Sequence, residues 1–90
     1  MFKELEYLIK TIRERKTSSN NDTYTSKLLN DKNLNVAKVK EEIEELIEAI
    51  DNNSNKIHES ADVFYHLLVY LESSNVKIED VMLELRKRQK

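Results

Sequence analysis

Apolar residues recur at helical intervals along almost the whole chain. Phe2, Leu5, Leu8, Ile9 and Ile12 predict a first amphipathic helix over about Phe2–Lys16. It closes on Arg13, Arg15 and Lys16, charges that suit a helix C-terminus. The run TSSNNDT at Thr17–Thr23 has no periodicity and predicts a loop. A short helix at about Tyr24–Asn30 follows, with Thr23 placed to cap it. Asp31–Asn33 reads as a turn in which Asn33 stands where glycine would be expected. Asn35 is then the cap of a third helix, about Val36–Asp51. Asn52, Asn53, Ser54 and Asn55 make a tight turn into a fourth helix, about Lys56–Ser73. Ser74 and Asn75 end it, and Ile78, Val81, Met82 and Leu85 mark one face of a last helix at about Ile78–Lys90. With no internal repeat and no long linker, residues 1–90 read as a single all-α domain of four to five helices.

The third helix has an ordinary apolar stripe. At 100° per residue with Glu41 at the origin, Val36, Val39, Ile43, Leu46, Ile47 and Ile50 fall between about 140° and 240°. This predicts that Ile43 and its neighbours face the core. Glu41, Glu44 and Glu48 fall on the opposite side, and a Glu-rich helix face is most often simply solvated. Lys38, Glu42, Glu45 and Ala49 lie on the flank between.

The fourth helix changes that reading. From Ile57 to Leu71 it is apolar nearly all round, which predicts burial on most sides. One stripe nevertheless carries Glu59, Asp62 and His66. Carboxylates in such a place are costly unless paired or bound to a cation. Lys38 can pair with only one of them. Glu42 and Glu45 on one helix and Glu59 and Asp62 on an antiparallel neighbour are therefore candidate metal ligands. Their oxygens are hard donors, which favour Mg²⁺, or Mn²⁺, over zinc. Because Mg²⁺ completes its shell with phosphate oxygens, the pattern points to phosphate chemistry. A di-iron bundle would need Glu-x-x-His on two helices. Glu59 is followed three residues later by Asp62, and the third helix has no histidine.

Composition sharpens the picture mainly by exclusion. The 90 residues include no Gly, Pro, Cys or Trp, so glycine phosphate loops, disulfides and thiolate chemistry are ruled out. Fifteen basic against 17 acidic residues leave a net charge of −2, which argues against nucleic acid as a partner. No apolar run approaches a membrane span, and no signal peptide is evident, so a cytoplasmic location is the expectation. A chain this short hides only about 64% of its surface on folding, a marginal core for a lone subunit.

Glu41-Glu42-x-x-Glu45, then Glu59-x-x-Asp62, resembles the metal-binding pattern of the MazG-like all-α nucleotide pyrophosphohydrolases. Tyr24-Thr25-Ser26-Lys27-Leu28-Leu29, KVKEEIEE at Lys38–Glu45, ESADVFYHLLVYL at Glu59–Leu71 and Val81-x-x-x-Leu85-x-x-Arg88 resemble phosphoribosyl-ATP pyrophosphohydrolase, over about residues 5–88. The resemblance implies a MazG-like helical bundle completed by homodimerisation. It also implies Mg²⁺-dependent hydrolysis of phosphoribosyl-ATP to phosphoribosyl-AMP and pyrophosphate, the second step of histidine biosynthesis. Thr23 stands where the family commonly has Ser, Lys40 where it often has Gly, and Asn33 and Asn75 replace two turn glycines. Ile43 stands where a small residue is usual.

On this reading Glu42, Glu45, Glu59 and Asp62 hold the metal. Glu41, with Glu45, serves catalysis by orienting or deprotonating the attacking water, and a second-metal role for Glu41 is the alternative. Arg15, Lys38 and Arg88 are candidate phosphate contacts, Arg88 reaching across a dimer. Tyr24, Thr25 and Lys27 would meet the ribose-phosphate end. His66 is either a hydrogen-bond partner of Asp62 or a core histidine, and His58 is read as surface. Two alternatives stay open: a broad-range nucleoside triphosphate pyrophosphohydrolase of the same superfamily, and a non-enzymatic helical dimerisation module.

Overall fold

The computed structural model describes residues 2–18 and 22–89. Among them it has five helices and no strand. These are α1 (Lys3–Thr17), α2 (Tyr24–Leu29), α3 (Lys32–Asp51), α4 (Lys56–Ser73) and α5 (Ile78–Arg88). The middle of the loop expected at Thr17–Thr23 and the expected last residue of α5, Lys90, lie outside the described residues.

Local chemistry sets most boundaries. Thr23 caps α2 as expected, its hydroxyl accepting from the Ser26 amide at 3.1 Å. The α3–α4 connection works without glycine because Asn53 and Asn55 adopt left-handed φ values of 53° and 51°. Asn75 does the same after α4, with φ 59°. Lys16 seals that end by donating to the Glu72 carbonyl at 2.6 Å and to Asn75 Oδ1 at 3.0 Å.

The start of α3 departs from the expectation. The cap is Asp31, whose carboxylate accepts from the Leu34 amide at 3.0 Å. The helix therefore begins four residues earlier than Val36, and Asn33 is helical rather than in a glycine-like turn. Asn35 is not a cap. It is fully buried inside α3 and donates from Nδ2 to Ser73 Oγ at 3.0 Å.

That bond joins the first turns of α3 to the end of α4, while their other ends meet at the Asn52–Asn55 turn. The two helices thus form an antiparallel hairpin. Helix α4 is the hub and touches each of the other four helices. The apolar core is Ile9 and Ile12 from α1, Leu28 from α2, and Leu68 and Val69 from α4. Leu5, Leu8, Leu29, Tyr65 and Ile78 pack around it.

Two further expectations are corrected here. The buried positions of α3 are Asn35, Glu42 and Ala49, spaced by seven. The flank of the wheel, not its apolar stripe, faces α4. Ile43, Ile47 and Ile50 are instead exposed, as are Ile57, Phe64 and Leu67 on α4. Among the described residues, the buried positions of α4 are His66, Leu68, Val69 and Glu72, and the others are half-buried or exposed. The accessible surface is 7089 Å², against about 5,500 Å² for a compact chain of this mass.

Candidate active site

The rotation of α3 turns its acidic flank inward. Glu42 is buried, and one ligand oxygen from each of Glu42, Glu45 and Glu59 lies within 4.8 Å of the others. Asp62, one turn further along α4, forms an adjoining group with Glu59 and His58. The four candidate ligands therefore share one acidic cleft. His58, read as surface, is exposed yet reaches Asp62 Oδ2 with Nε2 at 3.4 Å. The signal for that contact was its i, i+4 spacing.

The cleft is electrostatically strained. Burial, the adjoining Glu45 carboxyl, and the charges of Glu45 and Asp62 push Glu42 up to about 7. Glu59 is also raised, by burial, by the charge and closeness of the Glu45 carboxyl, and by Asp62, with His58 opposing. Glu42 Oε2 and Glu59 Oε2 are buried and have no hydrogen-bond partner. Two orphaned carboxylate oxygens, on residues that share one acidic cleft, fit a hard divalent cation as the missing partner. Glu42, Glu45, Glu59 and Asp62 are the residues that would hold it.

A second wall comes from α2. Tyr24, half exposed, bonds His66 Nε2 through its hydroxyl at 3.0 Å. His66 is buried and bonds the Asp62 backbone carbonyl through Nδ1 at 2.8 Å, not the Asp62 carboxylate. Thr25 and Tyr65 are joined through their hydroxyls. The Tyr24 and Tyr65 rings stack 6.3 Å apart, and both meet His66 edge-on. Tyr24 feels the charges of Lys38, Glu42 and Glu41, which places it beside the acidic cleft.

The remaining candidates divide. Lys38 bonds Glu41 at 3.0 Å, one turn along the exposed side of α3, and that bond raises the lysine above its ordinary range. Glu41 stands outside the ligand groups, at their edge. Lys27 is exposed in the last turn of α2. Arg15 is exposed at the end of α1, and among the described residues no hydrogen bond or ion pair joins it to the cleft. Arg88 pairs with Glu84 within α5, Nε to Oε2 at 3.1 Å, and among the described residues no hydrogen bond or ion pair joins it to the cleft. Glu44 and Glu48 are exposed, as expected of a solvated face.

The model of the phosphoribosyl-ATP pyrophosphohydrolase family matches residues 5–89. The chain is similar to the phosphoribosyl-ATP pyrophosphatase of Bacillus cereus (strain B4264), with 43% identity over 86 residues, 90% of this chain and 78% of the relative. It is 38% identical to that of Haloarcula marismortui over 89 residues, 93% and 91% of the two chains. It is 42% identical over 74 residues to the histidine biosynthesis trifunctional protein of Kluyveromyces lactis, covering 82% of this chain and 9% of that one. No solved structure matches. A family match running from α1 to the end of α5, with the acidic cleft inside it, means that the chain belongs to the phosphoribosyl-ATP pyrophosphohydrolase family.

Proposed function

We propose that the cleft between α3 and α4 carries out the family's reaction, hydrolysis of phosphoribosyl-ATP to phosphoribosyl-AMP and pyrophosphate in histidine biosynthesis, with Mg²⁺ or Mn²⁺ as cofactor. The observation that carries the metal assignment is the pair of buried, partnerless oxygens on Glu42 and Glu59. A divalent cation bound there would offset charge on the phosphate oxygens and on the leaving pyrophosphate. The chain's own residues supply the rest. Glu41 and Glu45 flank Glu42 on α3, and one of them orients the attacking water and takes its proton. Lys38 lies one turn from Glu42 and can leave Glu41 for a phosphate oxygen, because an exposed ion pair costs little to exchange. In this reading Tyr24, Thr25 and Lys27 of α2 meet the ribose-phosphate end of the substrate, supported by the bond of Tyr24 to His66.

The same reading includes a homodimer. Ile43, Ile47 and Ile50 on α3, and Phe64 and Leu67 on α4, form exposed apolar faces within one subunit. The surface exceeds the compact-monomer value by about 1,600 Å², enough to supply one side of a standard interface, about 800 Å². A second copy would cover these faces, and in the same reading Arg88, which pairs with Glu84 in its own subunit, meets a phosphate across the interface.

Pyrophosphate release tests the assignment. Purified protein should hydrolyse phosphoribosyl-ATP with Mg²⁺, lose activity in excess EDTA, and recover it on adding Mg²⁺ or Mn²⁺. Faster turnover of dUTP or ordinary nucleoside triphosphates than of phosphoribosyl-ATP would favour the broad-range alternative. Activity that survives in Glu59→Gln, Asp62→Asn would remove the metal site.

A further inference from the structure

His66 lies one turn beyond Asp62 on the buried side of α4, and both of its ring nitrogens are engaged. Its partner at Nδ1 is a backbone carbonyl, which can only accept. Nδ1 must therefore carry the proton. In the neutral ring Nε2 is left with its lone pair, so at the 3.0 Å contact the Tyr24 hydroxyl is the donor. A tyrosine hydroxyl has one proton, and here it is committed to His66 Nε2. What the Tyr24 oxygen has left for other partners is lone pairs, and its charged neighbours are Lys38, Glu42 and Glu41. Burial of His66 and the edge-on contacts of Tyr24 and Tyr65 against it keep the three rings in register.

We infer that His66 is a positioning residue that fixes Tyr24 as a hydrogen-bond acceptor at the rim of the acidic cleft. Tyr24 then receives a hydrogen bond from a sugar hydroxyl of the nucleotide substrate, or from Lys38, and does not donate to a phosphate oxygen. This divides the work of substrate recognition. Phosphates are left to cationic side chains and the metal, whereas the α2 segment reads donors on the ribose. The inference rests on the substrate class proposed above, but its first part concerns a tautomer and is independent of any substrate.

Two experiments test it. Nitrogen-15 NMR of the histidine rings in the wild-type protein should show His66 as the Nδ1–H tautomer, and Tyr24→Phe should shift the His66 Nε2 resonance. An Nε2–H tautomer, or a resonance indifferent to Tyr24→Phe, would overturn the inference whatever the enzyme hydrolyses. In kinetics, His66→Asn keeps a donor for the Asp62 carbonyl and removes the acceptor for Tyr24. It should raise KM for phosphoribosyl-ATP about tenfold with kcat changed far less. Tyr24→Phe should do the same, and the double variant should be no worse than either single one. His66→Gln, whose longer amide can offer an acceptor near the place of Nε2, should restore much of the loss. Independent, multiplying effects on KM would mean that the two residues do not act together. A wild-type protein inactive on phosphoribosyl-ATP would instead count against the substrate assignment and leave the NMR result standing.

Discussion

Glu42 on α3 and Glu59 on α4 each bury one carboxylate oxygen with no hydrogen-bond partner, in a single cleft. Buried polar atoms are almost always satisfied, so the pair marks a place where the fold gives up stability for chemistry. Replacing Glu42 by Gln removes one charge from the cluster and keeps its shape. The expected outcome is an activity loss of about a thousandfold or more with Tm unchanged or raised. Pyrophosphate release and thermal unfolding of the same preparation check both halves. A variant that loses activity and stability together would mean that Glu42 is chiefly structural.

The raised Glu42 also predicts a pH dependence of metal-free stability. Its folded value, about 7, lies above the ordinary 4.5, so the folded state holds the proton more tightly than the unfolded state. The contribution from this group is present in full below about 4.5 and is lost as pH rises through about 7. Without divalent cations, Tm should fall between pH 5 and pH 8 by about 5 °C or more. A bound cation favours the ionised carboxylates, so Mg²⁺ should raise Tm most at the upper end and flatten the trend. Glu42→Gln should remove most of the slope. Thermal scans across that range with and without Mg²⁺ decide it.

Much of this was legible in the residues, and the failures have physical causes. The helices follow from apolar spacing, and Thr23, Asn53, Asn55 and Asn75 mark where backbone bonds or left-handed turns must fall. The i, i+3 pairs Glu42–Glu45 and Glu59–Asp62 announced a shared cleft, because a hairpin with a four-residue turn sets such pairs opposite each other. Periodicity gives a stripe but not its neighbour. Ile43, Ile47 and Ile50 are a stripe left exposed among the described residues, so reading them as core turned α3 away from its real packing face. Asn35 has the preferences of a cap, but Asp31 had already capped the helix, and a tertiary bond to Ser73 claimed the amide. The link from His66 to Tyr24 joins residues 42 positions apart and leaves no trace in spacing, whereas its bond to Asp62, at the backbone carbonyl, follows from the i, i+4 spacing.

Arg13 ties three helices together and should matter more than its half-exposed position implies. It donates to Glu72 Oε2 from Nε and Nη2 at 3.1 and 3.0 Å, and to both carboxylate oxygens of Glu79 at 2.9 and 2.6 Å. Glu72 is buried, so Arg13→Ala strands a charge, whereas Glu79 is left in water. The loss expected is about 2 kcal/mol, or about 8–16 °C in Tm. Glu79→Gln should cost much less near neutral pH. The guanidinium holds Glu79 down to about 2, so its contribution is present above about 4.5 and fades as pH falls through about 2. Urea unfolding of the two variants at pH 7 should separate them. Equal losses would assign the stabilisation to Glu79 rather than to the buried end of the network.

The exposed isoleucines give the proposed dimer its sharpest test. Ile47 is 56% exposed in the subunit and lies midway between Ile43 and Ile50 on the bare stripe of α3. If a second copy covers that stripe, Ile47→Glu places a charge in an apolar interface, at a cost of several kcal/mol per dimer. The variant should elute and sediment as a monomer at concentrations where the parent is a dimer. Its Tm should be lower and independent of protein concentration, while the parent's rises with concentration by mass action. Activity should be lost along with the dimer if Arg88, which pairs with Glu84 in its own subunit, serves the partner's cleft. Mixing Arg88→Ala protein with Glu59→Gln, Asp62→Asn protein should then restore part of the activity, since one of the two clefts in a mixed dimer holds intact ligands and faces an intact arginine. A monomeric parent at micromolar concentration would remove the interface, and a dimer with no recovery on mixing would confine Arg88 to its bond with Glu84.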